Sequence, residues 1–91
     1  MSLNRYAKKR DTSEREIIDA LEGIGMSVFQ LDRPVDLVAG YRGVNHLIEA
    51  KTGKAKPNAF QAHFIDTWRG QVVVLRNRDE AINWAREVAR P

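Results

Sequence analysis

Residues 33–51 read RPVDLVAGYRGVNHLIEAK, and this stretch predicts two neighbouring β-strands joined by a tight turn. The first strand, Val35 to Ala39, is apolar except for Asp36, and the second, Val44 to Lys51, contains both apolar and polar side chains. Between them, Gly40 to Gly43 supplies the glycines that a hairpin turn favours. We therefore expect an antiparallel hairpin with this turn at its tip.

The sequence on both sides of the hairpin predicts three helices and two further strands. They are a helix over 12–23 that ends at Gly23 and Gly25, a strand over 26–30, a helix from the Asn58 cap to Trp68, a strand over 71–75, and a helix capped by Asp79 with an apolar stripe of Ala81, Ile82, Ala85 and Val88. The three consecutive valines at 72–74 are typical of a strand buried on both faces. The order α-β-β-β-α-β-α predicts an α/β fold with a mixed four-stranded sheet flanked by helices: a three-strand meander, then a helical crossover to the fourth strand.

The chain of 91 residues is long enough for one domain, which we place at 11–91, preceded by a basic arm at 1–10. It contains no cysteine, which excludes disulfides and thiolate metal sites. No apolar run approaches the roughly 20 residues that span a bilayer, so we expect no membrane partner. These features predict a soluble, cytoplasmic protein.

Positive charge is concentrated in two segments. The N-terminal arm carries Arg5, Lys8, Lys9 and Arg10, and a second cluster contains Lys51, Lys54 and Lys56. Residues 11–24, which lie between the two basic segments, are acidic. The net charge of the whole chain is only +3. Clustered Lys and Arg side chains suit a nucleic-acid backbone, because they neutralise phosphates. The alternative is an ordinary solvated surface.

Asp36 and Glu49 are predicted to lie opposite each other in the hairpin. Leu47, Glu49 and Lys51 share one face of their strand, and a turn centred on Arg42-Gly43 brings Asp36 across from Glu49. Facing carboxylates repel unless a cation lies between them, and Mg²⁺ binds such oxygen pairs. The alternative is a cross-strand salt bridge in which Lys51 neutralises one of the acids.

Two further polar residues fall on apolar helical stripes. Glu14 shares a face with Ile17, Ile18 and Leu21, where a buried carboxylate needs a partner. Gln61 begins the stripe that continues through Phe64, Ile65 and Trp68. Instead of having a functional partner, the Glu14 side chain could reach solvent at the helix end. The Gln61 amide could likewise lie at the edge of the core with no functional role.

The remaining polar and aromatic residues are interpreted as structural. His46 lies on the strand face opposite Glu49, and His63 points away from the Gln61 stripe. We expect Trp68 and Trp84 to fill the core between helices and sheet. Tyr41 is expected to lie in a solvated turn at the hairpin tip, and the alternative is that it stacks on a base or sugar.

Glu14, Pro34-Val35-Asp36, Glu49-Ala50-Lys51 and Gln61 together resemble the signature of PD-(D/E)xK nucleases. The similarity covers Arg10 to the end of the second helix and is closest to the VRR-NUC and Holliday-junction-resolvase-like branch. Two departures are a Val between Pro34 and Asp36 and the absence of the Val-Arg-Arg tripeptide that names the branch.

The resemblance implies a restriction-endonuclease-like αβββαβ core with an extra C-terminal helix. It implies that Asp36, Glu49 and the main-chain carbonyl of Ala50 ligate Mg²⁺ or Mn²⁺, with Glu14 as a further acidic ligand. Lys51 would orient the attacking water and stabilise developing charge. Apart from the resemblance, the position of Gln61 just past the basic loop would let its amide hydrogen-bond a phosphate, a water or Lys51.

The expected function is metal-dependent hydrolysis of DNA phosphodiester bonds by a structure-specific endonuclease. Its partners would be branched or duplex DNA and a second copy of the chain in a homodimer. The N-terminal arm, with Lys54 and Lys56, would bind the DNA backbone. The alternatives are a non-catalytic nucleic-acid-binding module with the same fold and a purely structural ion network.

Overall fold

A computed structural model describes residues 12–91 of the chain. These residues form α1 (Thr12–Ile24), β1 (Ser27–Gln30), β2 (Leu37–Tyr41), β3 (Val44–Ala50), α2 (Ala59–Thr67), β4 (Val72–Leu75) and α3 (Arg78–Val88). The predicted element order is therefore confirmed, with strand and helix ends shifted by one or two residues. Within the described residues, no helix has the length and apolar character needed to cross a membrane.

The four strands form one mixed sheet in the order β1-β2-β3-β4. β1, β2 and β3 are antiparallel neighbours, and β4 pairs with β3 in parallel after the α2 crossover. This is the predicted meander with a helical crossover. The β2–β3 turn is tight because Tyr41 pairs with Val44 and both intervening residues have positive φ, 51° at Arg42 and 80° at Gly43. Positive φ at both central positions is the geometry of a type I′ turn, which matches strand twist.

The main core lies between one face of the sheet and the helices α1 and α3. Its buried side chains are Ile17, Ile18, Ala20 and Leu21 from α1, Met26, Leu37, Ala39, Ile48, Ala50 and Leu75 in and beside the strands, and Ala81 and Ala85 from α3. Leu37 pairs with Ile48 in the β2–β3 register. Because strand side chains alternate, Glu49 lies on the other face of the sheet, away from α1 and α3.

Helix α1 ends one residue later than its sequence predicts. The main-chain N–H of Met26 donates to the carbonyl of Leu21 at 3.1 Å, and that of Gly25 donates to Glu22 at 3.0 Å. Gly25 has a φ of 109°. These two bonds around a glycine of positive φ form a Schellman motif, so Gly25 ends the helix and Gly23 lies inside it.

Two predictions about the C-terminal third are wrong. Asn77, not Asp79, caps α3: its side-chain oxygen accepts from the N–H of Glu80 at 2.8 Å. Asp79 lies in the first turn, where its charge still favours the helix N-terminus. The three valines of β4 are only half-buried, because β4 is an edge strand, and Leu75 is the one fully buried residue of that strand.

The two tryptophans have different environments. Trp84 packs against the main core, edge-on to His46 with ring centroids 5.1 Å apart, as expected for a core residue. Trp68 is 48% exposed, so its prediction as a core residue is wrong. Trp68 is the C-cap that follows the last residue of α2. Its main chain is extended, so its side chain does not continue the helical stripe. Tyr41 is likewise not in a solvated turn, since it ends β2 and packs against the core.

Candidate active site

Asp36 lies immediately before β2. Its side-chain carboxylate accepts a hydrogen bond from β3 that a main-chain carbonyl of a paired strand would otherwise accept. Its Oδ2 accepts a hydrogen bond from the main-chain N–H of Ala50 at 2.8 Å, and its own main-chain carbonyl accepts from Leu31 at 2.7 Å. The side chain is almost fully enclosed, since Asp36 is 3% exposed. Extending the register of Leu37 with Ile48 by one residue places Asp36 across from Glu49, as the sequence predicts.

Glu49 and Lys51 form an ion pair on β3 and just beyond its end. Lys51 Nζ lies 3.0 Å from Glu49 Oε2, and the two side chains are 19% and 0% exposed. Residues two apart in a strand point to the same side, so this contact follows from the local geometry. The structure thus brings the carboxylates of Asp36 and Glu49 and the ammonium of Lys51 to one end of the β2–β3 pair.

The donor set at this end fits a hard divalent cation in its chemistry. Asp36 and Glu49 supply carboxylate oxygens, and the Ala50 carbonyl points to the same side of β3 as its N–H, towards Asp36. Mg²⁺ uses one or two carboxylates and completes its shell with waters and substrate oxygens. In the described range 12–91, no three His, Asp or Glu side chains are grouped closely enough to hold a metal by themselves.

Glu14 is buried, as its place on the apolar stripe of α1 predicts, and it is 2% exposed. Its Oε2 accepts a hydrogen bond from Gln30 Nε2 at 2.9 Å. Gln30 pairs with Leu37, so it stands on the α1 side of the sheet. Gln30 was not among the predicted site residues, although the alternation of Met26, Val28 and Gln30 places all three on one face.

Gln61 is buried at the start of α2 and completes the helix cap. Its Oε1 accepts from the main-chain N–H of Asn58 at 3.1 Å, and its own N–H donates to Asn58 Oδ1 at 2.8 Å. This reciprocal pair is a capping box. The side-chain amide oxygen of Gln61 is therefore used in the helix cap, an interaction that the sequence did not predict.

The basic loop between β3 and α2 is held by an arginine that directly follows β4, the strand next to β3. Arg76 Nη1 donates to the carbonyl of Gly53 at 3.0 Å and to that of Ala55. Lys54 and Lys56, the predicted phosphate-binding residues, are exposed on this loop. The other predicted nucleic-acid-binding residues, Arg5, Lys8, Lys9 and Arg10, lie outside the described residues.

His46 belongs to the opposite end of the sheet. It is buried on the core face, its Nε2 has no hydrogen-bond partner, and its ring contacts Trp84 edge-on. Burial lowers the pKa of His46, and a hydrogen bond with the Gln71 side chain partly offsets that effect. His63 is exposed on α2. Both histidines thus lie where the sequence predicts.

Comparison with known proteins assigns no family to this arrangement. The chain has no significant match to a protein-family model, to a curated protein or to a solved structure. Any proposal about the chemistry of this chain therefore rests on the arrangement of Asp36, Glu49 and Lys51.

Proposed function

We propose that the chain is a divalent-metal-dependent nuclease that hydrolyses phosphodiester bonds in DNA. The observation that carries the proposal is the buried Asp36 carboxylate, bonded to Ala50, beside the strand residue that forms the Glu49–Lys51 ion pair at the end of the β2–β3 pair. The strand order and the α2 crossover are compatible with a restriction-endonuclease-like core, which supports the same proposal.

Asp36, Glu49 and the Ala50 carbonyl would hold the metal. A bound Mg²⁺ or Mn²⁺ would neutralise phosphate charge and activate water for attack. The water oxygen bonds to phosphorus, the bond to one sugar oxygen breaks, and that oxygen takes up a proton. Asp36 is fixed for this role by its bond to Ala50, so little side-chain freedom remains to be lost on metal binding.

Lys51 would act on the phosphate group. Its ammonium is next to Glu49 but remains 19% exposed, so it can contact an anion arriving from solvent. Negative charge grows on the phosphate oxygens as the water attacks, and a fixed cation at that position stabilises it. Lys54 and Lys56 would bind neighbouring phosphates, which predicts strongly salt-dependent binding. A homodimer would present two such sites to branched or duplex DNA in the cytoplasm.

The test is nicking of supercoiled and branched DNA with Mg²⁺, with Mn²⁺ and with EDTA. Asp36→Asn keeps an oxygen that can accept from Ala50, and Glu49→Gln keeps the shape of the side chain. We expect both variants to lose cleavage by about a hundredfold or more while DNA binding in EDTA is retained. Arg86→Gln on α3 removes one positive charge far from the site and serves as the matched control.

The ion pair itself favours a second candidate function, a non-catalytic nucleic-acid-binding module. Lys51 already neutralises Glu49 at 3.0 Å, as a structural ion network would require. Binding of DNA without cleavage in either metal supports this second function and contradicts the first. Cleavage that persists in both Asp36→Asn and Glu49→Gln also contradicts the proposed metal site.

A further inference from the structure

Three aromatic residues form a row along α2 and its C-cap, with exposed rings at both ends and the half-buried Phe64 between them. Phe60, Phe64 and Trp68 are spaced four residues apart, so they follow one side of the helix over about 12 Å. Phe60 is 54% exposed and Trp68 is 48% exposed. Aromatic side chains of this size are normally enclosed in a core or an interface, so their exposure indicates a binding surface.

The row is held in a fixed arrangement. The rings of Phe64 and Trp68 stack with centroids 4.9 Å apart and planes 28° from parallel. The Trp68 indole also lies against the main chain at Gly70, where an added Cβ would approach Nε1 to 2.6 Å. Gly70 therefore makes room for the ring, and the exposed indole is positioned before any ligand arrives.

The surroundings of the row are positively charged. Arg33 lies over the Phe60 ring, with its guanidinium carbon 5.8 Å from the centroid, and Arg33 belongs to the loop that leads to Asp36. The segment 51–70 carries Lys51, Lys54, Lys56 and Arg69 against the single acid Asp66. By contrast, α1 on the other side of the sheet carries three exposed acids, Glu16, Asp19 and Glu22, against Arg15. An anionic ligand is attracted to the α2 side.

We propose that the row of Phe60, Phe64 and Trp68 binds a single-stranded segment of nucleic acid whose unpaired bases stack on Phe60 and Trp68. The inference rests on the proposed function and specifies its substrate: DNA with a single-stranded stretch next to the scissile phosphate. Bases stack on aromatic side chains only when they are unpaired, whereas a duplex offers its backbone. Arg33 and Phe60 place the start of the row beside the Asp36 loop.

The positive charge around the row favours a nucleic acid over a second copy of the chain as its ligand. In a dimer formed through this row, Arg33, Lys54 and Lys56 of one copy would face the same three residues of the other copy. The like charges would repel each other. A nucleic acid supplies phosphates for those cations and flat rings for the aromatic row, so both features are used together.

The test measures binding in EDTA, where cleavage is prevented, with a labelled single strand of about 12 nucleotides and a duplex of the same length. We expect Phe60→Leu and Trp68→Leu each to weaken single-strand binding by about fivefold to a hundredfold, since one stacked base contributes about 1–3 kcal/mol. Phe60→Tyr keeps the ring and should bind like the unmodified chain. Val44→Ala trims another exposed apolar residue, at the hairpin tip, and is the matched control.

Gly70→Ala tests the position of the indole without removing it. The added methyl group must displace Trp68, so single-strand affinity should fall in the same direction as in Trp68→Leu. In a Trp84→Phe background, Trp68 is the only tryptophan, and its fluorescence should be quenched by the single strand and not by the duplex.

Three results would overturn the inference. The first is unchanged single-strand affinity in Phe60→Leu and Trp68→Leu, and the second is an equal loss of duplex and single-strand affinity. The third is a dimer in sedimentation that the same variants dissociate while oligonucleotide binding persists, which would assign the row to a second copy. Each can occur while metal-dependent cleavage still requires Asp36, so failure of this inference is distinguishable from failure of the proposed function.

Discussion

The carboxylate of Asp36 accepts the main-chain N–H of Ala50 at 2.8 Å, at the position where β2 no longer pairs with β3. One side chain thereby completes the hydrogen bonding of β3 and presents a carboxylate beside Glu49. Asp36 therefore has a structural role in β3 besides the metal-binding role that we propose for it, and substitutions can separate the two.

Asp36→Ala and Asp36→Asn should differ in stability. The alanine variant leaves the buried N–H of Ala50 without its acceptor, which should lower the free energy of unfolding by about 1–3 kcal/mol. The asparagine variant keeps an acceptor and should lose much less. Urea titration of both variants measures the difference, and equal losses would show that the bond to Ala50 contributes nothing.

Lys51→Met should destabilise the fold more than the double variant Lys51→Met/Glu49→Gln. Removing the ammonium leaves the buried Glu49 carboxylate without this counter-charge. The free energy of unfolding should fall by about 3 kcal/mol, the low end of the range for buried ion pairs, because Lys51 is partly exposed. Neutralising Glu49 as well should restore part of that loss. The two single variants and the double variant form a thermodynamic cycle, and additive effects would contradict the coupling.

Acid should destabilise the chain through His46. Because burial lowers the pKa of His46, the unfolded chain takes up a proton near pH 6.5 while the folded chain does so only at lower pH. Stability is therefore lost as the pH falls below about 6.5. Urea midpoints above and below that pH should differ less in His46→Gln than in the unmodified chain.

Two glycines at the C-terminal end of α1, Gly23 inside the helix and Gly25 just after it, should respond to alanine with opposite signs. Gly23 lies inside the helix with open space around an added Cβ, so Gly23→Ala should stabilise the fold by about 0.8–1 kcal/mol. Gly25 has a φ of 109°, so Gly25→Ala should destabilise it by about 1–2 kcal/mol. Thermal unfolding measures both, and a shift of the same sign would contradict the assignment of Gly25 as the helix end.

The fold was predictable from the sequence wherever local chemistry decides it. The Arg42-Gly43 turn fixes the hairpin register, and that register determines which residue faces Glu49. Asn77 and Asp79 are both good capping residues, and choosing between them requires the main-chain geometry at Asn77. Edge position likewise decides the burial of Val72 to Val74, and the sequence of one strand does not carry that information.

The candidate site was predictable in part for the same reason. Asp36, Glu49 and Lys51 come together because alternation and strand pairing place them. The bond from Gln30 to Glu14 depends on how α1 crosses the sheet, which no local pattern specifies. Apolar periodicity also assigned Trp68 to the core, whereas the helix ends before it and leaves the ring outside.

Arg76 holds the loop between β3 and α2 through the carbonyl groups of Gly53 and Ala55, which every amino acid possesses. The anchor is therefore indifferent to the side chains at Lys54 and Lys56. Lys54 and Lys56 can therefore be replaced without loss of the Arg76 contacts, and the path of the loop should be conserved in such variants.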